Sequence, residues 1–375
     1  MKVCIGCVLG RAQGPDHTEA IVADSLIKHG FDVCFATNCK VDVVKHFHNN
    51  FGICLPSETR VYGVLPSSLA TYPSFAPVWV WTSLKRAIKK EKPDVVFCDG
   101  VPYRVKAPGR SKPTVAVYFS EPIAGEVARA HAKFGKQPLY SRIYSIVFER
   151  LQQMVSSKNI DIIIANSKAG AAFYEKVFKK SVHILPSPVD TAKFSPGKKE
   201  DLVTHVGIFD PRKKIESVIE GVALARTKPK LSLVGNLIPT KKWYLDFLRS
   251  KVKKLGMEDR VSFHVNASFS ELCGIVSRSK ICVSAGVEYF SLAIIEQMAA
   301  GCVPIVSRSF VPWFEIVDKG KYGFGFDTVE ELACTIDKVL TNQELYNTMQ
   351  RVAIKRAKEF DVKVFGNRLV DIISN

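Results

Sequence analysis

A chain of 375 residues with 47% apolar and 24% charged side chains has the makeup of a folded protein of two or so domains, at about 150 residues each. That excludes a disordered chain and a small disulfide-stapled scaffold. Lysine plus arginine number 53 against 36 acidic residues, a formal +17, which favours a negatively charged partner: nucleic acid, an anionic membrane or a phosphorylated substrate.

The longest apolar runs, residues 76–81 and 160–165, fall far short of the ~18 residues a membrane-spanning helix needs. The opening MKVCIGCVLGR has one lysine, a short apolar run and no small-residue cleavage site after it, so it reads as a first strand and not a leader. Most of the ten cysteines sit inside apolar runs, such as Cys98, Cys282 and Cys302, the pattern of reduced thiols in a cytoplasmic protein. Cys4 and Cys7 form one CxxC, but no second pair or histidine completes a zinc site. No metal is expected, and His46 and His48 read as structural.

In chain order, residues 3–9 form a buried strand. A loop containing Gly10 and Gly14 follows, then a helix from Asp16 to His29 and a strand at FDVCFAT, which together make a βαβ unit. Asp16 with Glu19 predicts a capping box, and Val22, Ala23, Leu26 and Ile27 an apolar helix face. Strands are expected at RVYGV, DVVFC, TVAVYF and DIIIANS, with a helix over 139–158. The proline-rich LPSPVDTAKFSPGKKED reads as a linker. Alternation then restarts: LVTHVGI, a helix from about Arg212, LSLVG, a helix from Lys241 to Leu255, VSFHV, a helix near Ser270, and ICVSA. The stretch 342–375 reads as wholly helical. The predicted boundaries are 1–185 for a first Rossmann-like domain, 186–200 for a linker, 201–350 for a second such domain, and 351–375 for a helix returning to the first.

The densest chemistry lies in SAGVEYFSLAIIEQMAAGCVPIVS. Glu288 ends a loop after a strand, and a helix starting near Phe290 or Ser291 carries Glu296 among Ile294, Ile295 and Met298. A carboxylate there needs hydrogen-bond donors, either from a neighbouring lysine or backbone or from ligand hydroxyls. The free amides at the helix start favour a phosphate.

This segment resembles the E-x7-E signature of the large retaining glycosyltransferase family 4, which has the two-domain GT-B fold. The resemblance extends over the second half: LPSPVDTAKFSP is similar to the family's hinge, VGIFDPRKKIESVIEGV to its first strand, loop and helix, LSLVGN to the next strand, and RVSFHVNASFSEL to the strand near the nucleobase. FEIVDKGKYGFGF closes the series. The implied fold is α/β, with two Rossmann-like βαβ domains facing a central cleft.

The resemblance implies that Glu296 accepts from the nucleotide ribose and that Glu288 holds donor-sugar hydroxyls. The amides around Phe290, Ser291 and Leu292 would face the sugar and diphosphate, and Lys213 would neutralise the diphosphate. Gly207, Gly235, Val265 and Asn266 fall at the matching strand ends around the donor. The family's arginine after the glycine matched by Gly207 is Ile208 here, with Arg212 or Lys214 as substitutes. Other departures are Ser284-Ala285, Ser291 and Ser187-Pro188. On the acceptor side the implied positions are Gly10, Gly14, Ser120 and Glu121; a histidine common in related enzymes at the latter strand end is absent.

The expected activity is retaining, metal-independent transfer of a hexose from a UDP- or GDP-sugar to a glycan or lipid-linked acceptor, with no cofactor. The alternatives are a degenerate nucleotide-sugar binder and a basic module for membranes or nucleic acid. No nucleic-acid reader element is found, so nucleic acid is not expected as a partner. Between Lys85 and Arg142 thirteen basic residues face five acids, just after TYPSFAPVWVW with Trp79 and Trp81. This is either an anionic membrane contact or a solvated face beside a core-packed helix. The localisation expected is cytoplasmic, with peripheral membrane contact on the first of these readings.

Overall fold

The computed structural model describes residues 1–9, 14–66, 76–99, 112–119, 159–288 and 290–374. Gly10, Ser120, Glu121, the stretch 139–158 and much of the basic run after Asp99 lie outside the described residues.

The chain divides into two compact units, Met1–Pro188 with Val362–Asn375, and Val189–Asp361. In the first, strands β1 (Lys2–Cys7), β2 (Asp32–Cys39), β3 (Arg60–Leu65), β4 (Val95–Asp99), β5 (Thr114–Phe119), β6 (Ile162–Ala165) and β7 (His183–Ile184) form one sheet. Its order is β3-β2-β1-β4-β5-β6-β7, every pair parallel. Four described helices belong to it by sequence order: α1 (Gly14–Lys28), α2 (Val43–Phe51), α3 (Ala76–Glu91) and α4 (Lys168–Phe178).

Both faces of this sheet are covered, which explains why its strands read as unbroken apolar runs. Val3, Ile5, Phe35 and Phe97 pack on one face. Cys4, Cys34, Val96 and Cys98 pack on the other with Val80 and Leu84 of α3, as the two-residue strand period requires. Trp81 is partly buried against that second cluster, with the Lys85 ammonium 3.4 Å from its ring centre. All ten cysteines are free thiols.

The second unit repeats the plan with β8 (Glu200–Val206), β9 (Lys230–Gly235), β10 (Val261–Val265), β11 (Ser279–Ser284), β12 (Val303–Ser307) and β13 (Phe324–Phe326). The order is β10-β9-β8-β11-β12-β13, again all parallel. Its helices are α5 (Ile215–Leu224), α6 (Lys242–Lys254), α7 (Phe269–Arg278), α8 (Leu292–Ala299), α9 (Val311–Glu315), α10 (Val329–Thr341) and α11 (Gln343–Lys358). The helix expected from Arg212 begins three residues later: Pro211–Lys213 is a single 3-10 turn, and Lys214 takes a left-handed φ of 48° before α5.

The C-terminal stretch is two helices and not one. α11 stays with the second unit through Tyr346, Ala353 and Ala357. The last helix, α12 (Val362–Ser374), lays Phe365, Leu369 and Ile373 into the core of the first unit. The return therefore starts at Val362 and not at 351. Its cause is local: Phe360 is buried in the second unit, its carbonyl accepts from the Val189 amide at 2.9 Å, and the Asp361 carboxylate accepts from the Thr191 hydroxyl.

Candidate functional site

In an open parallel sheet, ligands bind beyond the carboxyl ends of the strands, where the strand order reverses. In the second unit that point lies between β8 and β11, whose neighbours run in opposite directions along the sheet. Gly207, just past β8, donates its amide to Val234 O at 2.9 Å, and Phe209 donates to Asn236 O at 3.1 Å. Asn266 donates to Gly235 O at 2.8 Å and accepts the Leu237 amide on Oδ1 at 2.9 Å, from a left-handed φ of 56°. Gly207, Gly235, Val265 and Asn266 are thus brought together. A Cβ on Gly235 would lie 1.6 Å from Gly207 O, so only glycine lets these two strand ends close on each other.

The turn after Phe209 sets the charge. Buried Asp210 accepts the Arg212 amide and Nε on Oδ1, each at 2.9 Å, and a terminal guanidinium nitrogen on Oδ2 at 3.1 Å. Arg212 is thus held by a carboxylate two residues away. Lys214 lies 5.7 Å from the centre of the Phe310 ring. The Val287 amide donates to Arg212 O at 2.8 Å, and a Cβ on Gly286 would sit 2.1 Å from that same oxygen. Small Gly286 lets the turn dock against the loop after β11.

That docking delivers Lys213 to Glu288: Nζ and Oε1 are 2.7 Å apart, with side chains only 19% and 12% exposed. Burial pushes the Glu288 carboxyl above its ordinary value even though the Lys213 charge pulls the other way. Beneath them His205 is buried, with Nδ1 2.9 Å from Val283 O and Nε2 without a partner. Burial, reinforced by the Lys213 charge, holds its pKa down to about 4. The ring is thus neutral and donates from Nδ1 to the carbonyl.

Glu296 stands on the second turn of α8, half-buried, its carboxylate with no hydrogen-bond or ion-pair partner among the described residues. Burial alone pushes its carboxyl up to about 7. At the start of α8, Ser291 is the N-cap but makes no side-chain capping bond, so the first-turn amides have no side-chain acceptor of its making. Ser291 is buried, Leu292 half-buried, and the Phe290 ring packs 5.8 Å from Phe360.

Asp210, Gly286 and His205 escape the sequence reading. The Asp-Pro pair before a basic turn, a glycine after an apolar strand and a histidine inside one are the signals that mark them. In the first unit the expected capping box is absent. The helix begins at Gly14, two residues before Asp16, so Asp16 lies in the first turn and binds His46 Nε2 at 3.0 Å. Glu19 is 3% exposed, and its Oε2 has no partner. His48 Nδ1 lies 3.3 Å from Cys54 Sγ. Among the described residues no cluster of histidine, cysteine and acidic groups could hold a metal, and no helix is long and apolar enough to cross a membrane.

Known proteins share this plan. The family described as glycosyl transferases group 1 matches residues 188–356, and the one described as Glycosyltransferase Family 4 matches residues 22–193. A GDP-Man:Man(3)GlcNAc(2)-PP-Dol alpha-1,2-mannosyltransferase of Dictyostelium discoideum is 25% identical over 253 residues, 62% of this chain and 50% of the relative. Its Neurospora crassa namesake is 26% identical over 269 residues, 61% of this chain and 48% of the relative. The chain thus spans about half the length of these curated relatives. The crystal structure of Anabaena Alr3699/HepE in complex with UDP and glucose superposes with a TM-score of 0.73 at 14% identity, covering 100% of this chain and 99% of that one. Two parallel α/β units in tandem, with the two family models together spanning residues 22–356, mean that the chain belongs to family 4 of the GT-B glycosyltransferases.

Proposed function

We propose that the protein is a retaining, metal-independent glycosyltransferase that moves mannose from GDP-mannose to a lipid-linked glycan. The observation that carries the chemistry is the half-buried Lys213–Glu288 pair at 2.7 Å at the switch point of the second sheet. The named activity of the Dictyostelium and Neurospora relatives supports mannose, guanosine and a dolichol-linked acceptor.

In the step proposed, an acceptor hydroxyl oxygen bonds to the anomeric carbon on the face the leaving group vacates. The bond from that carbon to the diphosphate oxygen breaks, and its electron pair leaves with the nucleoside diphosphate. The acceptor proton passes to that departing oxygen, so no side-chain base is required. Charge grows on the diphosphate as the bond breaks, and Lys213, already fixed in a largely water-free setting, stabilises it most in the transition state. This is the role a metal ion would otherwise fill. Glu288 orients sugar hydroxyls and Lys213 together. Glu296, lacking a protein donor, takes the ribose hydroxyls, and the first amides of α8 face the phosphates.

The test is calorimetric titration of GDP, UDP and ADP into the wild-type chain and a Glu296→Ala variant. The expected result is preferential GDP binding that weakens ~100-fold in the variant, the loss of two charge-assisted hydrogen bonds. Preference for UDP would overturn the guanosine assignment, and no binding of any nucleotide would overturn the donor site itself.

A further inference from the structure

Helix α6 carries a feature the donor site does not use. Its inner side is seated firmly: Tyr244, Leu245, Leu248 and Val252 are buried in the second unit's core. The Tyr244 hydroxyl donates to Glu216 and accepts the Ile215 amide at 3.0 Å. Its outer side is not what a solvated helix presents. Trp243 is 58% exposed, Phe247 46%, and Leu255, just past the end, 43%.

Trp243 and Phe247 are four apart and share one face, with Ser250 and Lys254 continuing the same stripe at helical spacing. Around them Lys242, Arg249, Lys253 and Lys254 are exposed; the exposed acids are Asp246 on the helix and Glu258 and Asp259 in the turn beyond Leu255. Arg249 lies 5.7 Å from the Phe263 ring centre, and Lys251 turns aside to pair with Glu220. Both rings lean on Tyr244, with centres 5.8 and 6.1 Å away, yet about half of each stays exposed, and a grouped apolar patch rimmed by charge marks a contact surface.

We propose that the outer face of α6 docks on an anionic lipid bilayer. An amphipathic helix with tryptophan and phenylalanine at its centre and lysines along its flanks lies in the membrane interface, rings among the headgroups and cations against the phosphates. Each cation near an anionic surface strengthens binding roughly fivefold, so a helix with four exposed bases and one exposed acid selects anionic over zwitterionic lipid. The 13-residue helix lays about 20 Å of contact on the surface. This face belongs to the second unit, and the Trp79–Trp81 segment belongs to the first. It deepens the proposed function by giving an enzyme for lipid-linked substrates its place at the membrane, but its evidence is independent of the donor site.

The experiment is co-sedimentation of the whole chain with vesicles of phosphatidylcholine alone and with about one-third phosphatidylglycerol added. It uses wild type, Trp243→Ser/Phe247→Ser and Lys253→Glu/Lys254→Glu, each checked for an unchanged unfolding transition. All four positions are exposed, so the variants fold. Wild type is expected to sediment with the anionic vesicles only, and each double variant to bind at least about tenfold more weakly. Equal binding by the variants would overturn the proposal by placing the contact elsewhere, as would no wild-type binding. A wild-type dimer that the aromatic variant dissolves would assign the face to a second copy instead. Duplex DNA binding that the charge variant abolishes, with vesicles untouched, would assign it to nucleic acid. Nucleotide titrations on the same preparations keep the two readings apart, because vesicle binding can fail while the donor site stands.

Discussion

Each unit of this protein buries a carboxylic acid near the point where its strand order reverses, and the two acids differ in what surrounds them. Glu296 in the second unit stands half-buried on α8 without a partner, in the same connection that holds Glu288 against Lys213 at 2.7 Å. Glu19 in the first unit is 3% exposed. Burial, with the charges of Asp99 and Asp16 nearby, pushes its carboxyl well above the ordinary value, and the Cys7 thiol is its hydrogen-bond neighbour. Glu19 is shut away from solvent with one carboxylate oxygen unpaired, whereas Glu296 keeps part of its surface open. A buried acid kept neutral by its own core is a structural group, and one that awaits donors is a binding group.

The largest expected effect separates charge from packing at the second switch point. Glu288→Gln keeps the side chain's volume but not its charge; it should lower transfer by ~10^3-fold or more and cost a little stability, because the Lys213 ammonium loses its counter-charge. Lys213→Met should also abolish transfer, and in addition cost about 2–3 kcal/mol of stability, because it strands Glu288 in a desolvated setting. The combination Lys213→Met/Glu288→Gln should recover that stability and none of the activity. Urea unfolding and a radiolabelled-sugar transfer assay read the two quantities separately. If the double variant is no more stable than Lys213→Met, the pair is not the half-buried electrostatic unit described above.

How much of this was legible beforehand follows from the range of the forces involved. The apolar runs of both parallel sheets, the restart after the proline-rich hinge and the Glu288/Glu296 spacing are short-range patterns, and each appears in the structure where the sequence put it. Asp16 and Glu19 mimic a capping box because their spacing is right, but the helix starts two residues earlier and tertiary packing turns them to His46 and into the core. The sequence offers Arg212 or Lys214 in place of the arginine missing at Ile208. The Asp210 carboxylate that holds it is visible only once the turn is built. The crossover at Val362 is set by Phe360 and Asp361 binding the second unit, contacts about 170 residues apart that no local pattern encodes. Trp243 and Phe247 look like core residues in a string, and only the seated Tyr244 and Leu248 show which side of α6 is left outside.

A smaller effect sharpens the contrast between the two acids. With the carboxyl of Glu296 raised from 4.5 to about 7 by burial, the native state binds a proton that the unfolded chain has already released. Its contribution to stability is therefore fully present below pH 4.5 and is lost as pH rises to about 7. At 1.36 kcal/mol per unit this amounts to about 3 kcal/mol. Glu296→Gln cannot ionise, so it should match wild type at about pH 4 and be the more stable protein by up to that amount at about pH 8. Urea midpoints at the two pH values measure it, and a difference that does not grow with pH would mean Glu296 is not held neutral.

The smallest effect is the one that tells the two acids apart by ligand. If ribose hydroxyls donate to Glu296, nucleotide binding favours the ionised carboxylate and releases a proton. Affinity for GDP should then rise roughly tenfold per unit as pH climbs toward about 7, and level off above it. Glu19→Gln should leave that profile untouched, although it too must flatten the pH dependence of stability, because the folded state also holds Glu19 protonated to higher pH than the unfolded chain does. Saturating GDP should accordingly erase the pH-dependent stability that Glu296 contributes and spare the part that Glu19 contributes. Titrations of wild type, Glu296→Gln and Glu19→Gln across this range, with proton release read from the buffer dependence of the binding heat, decide the matter. A proton-release signal that vanishes in Glu19→Gln but persists in Glu296→Gln would reverse the assignment, making the first unit's acid the one that meets the nucleotide.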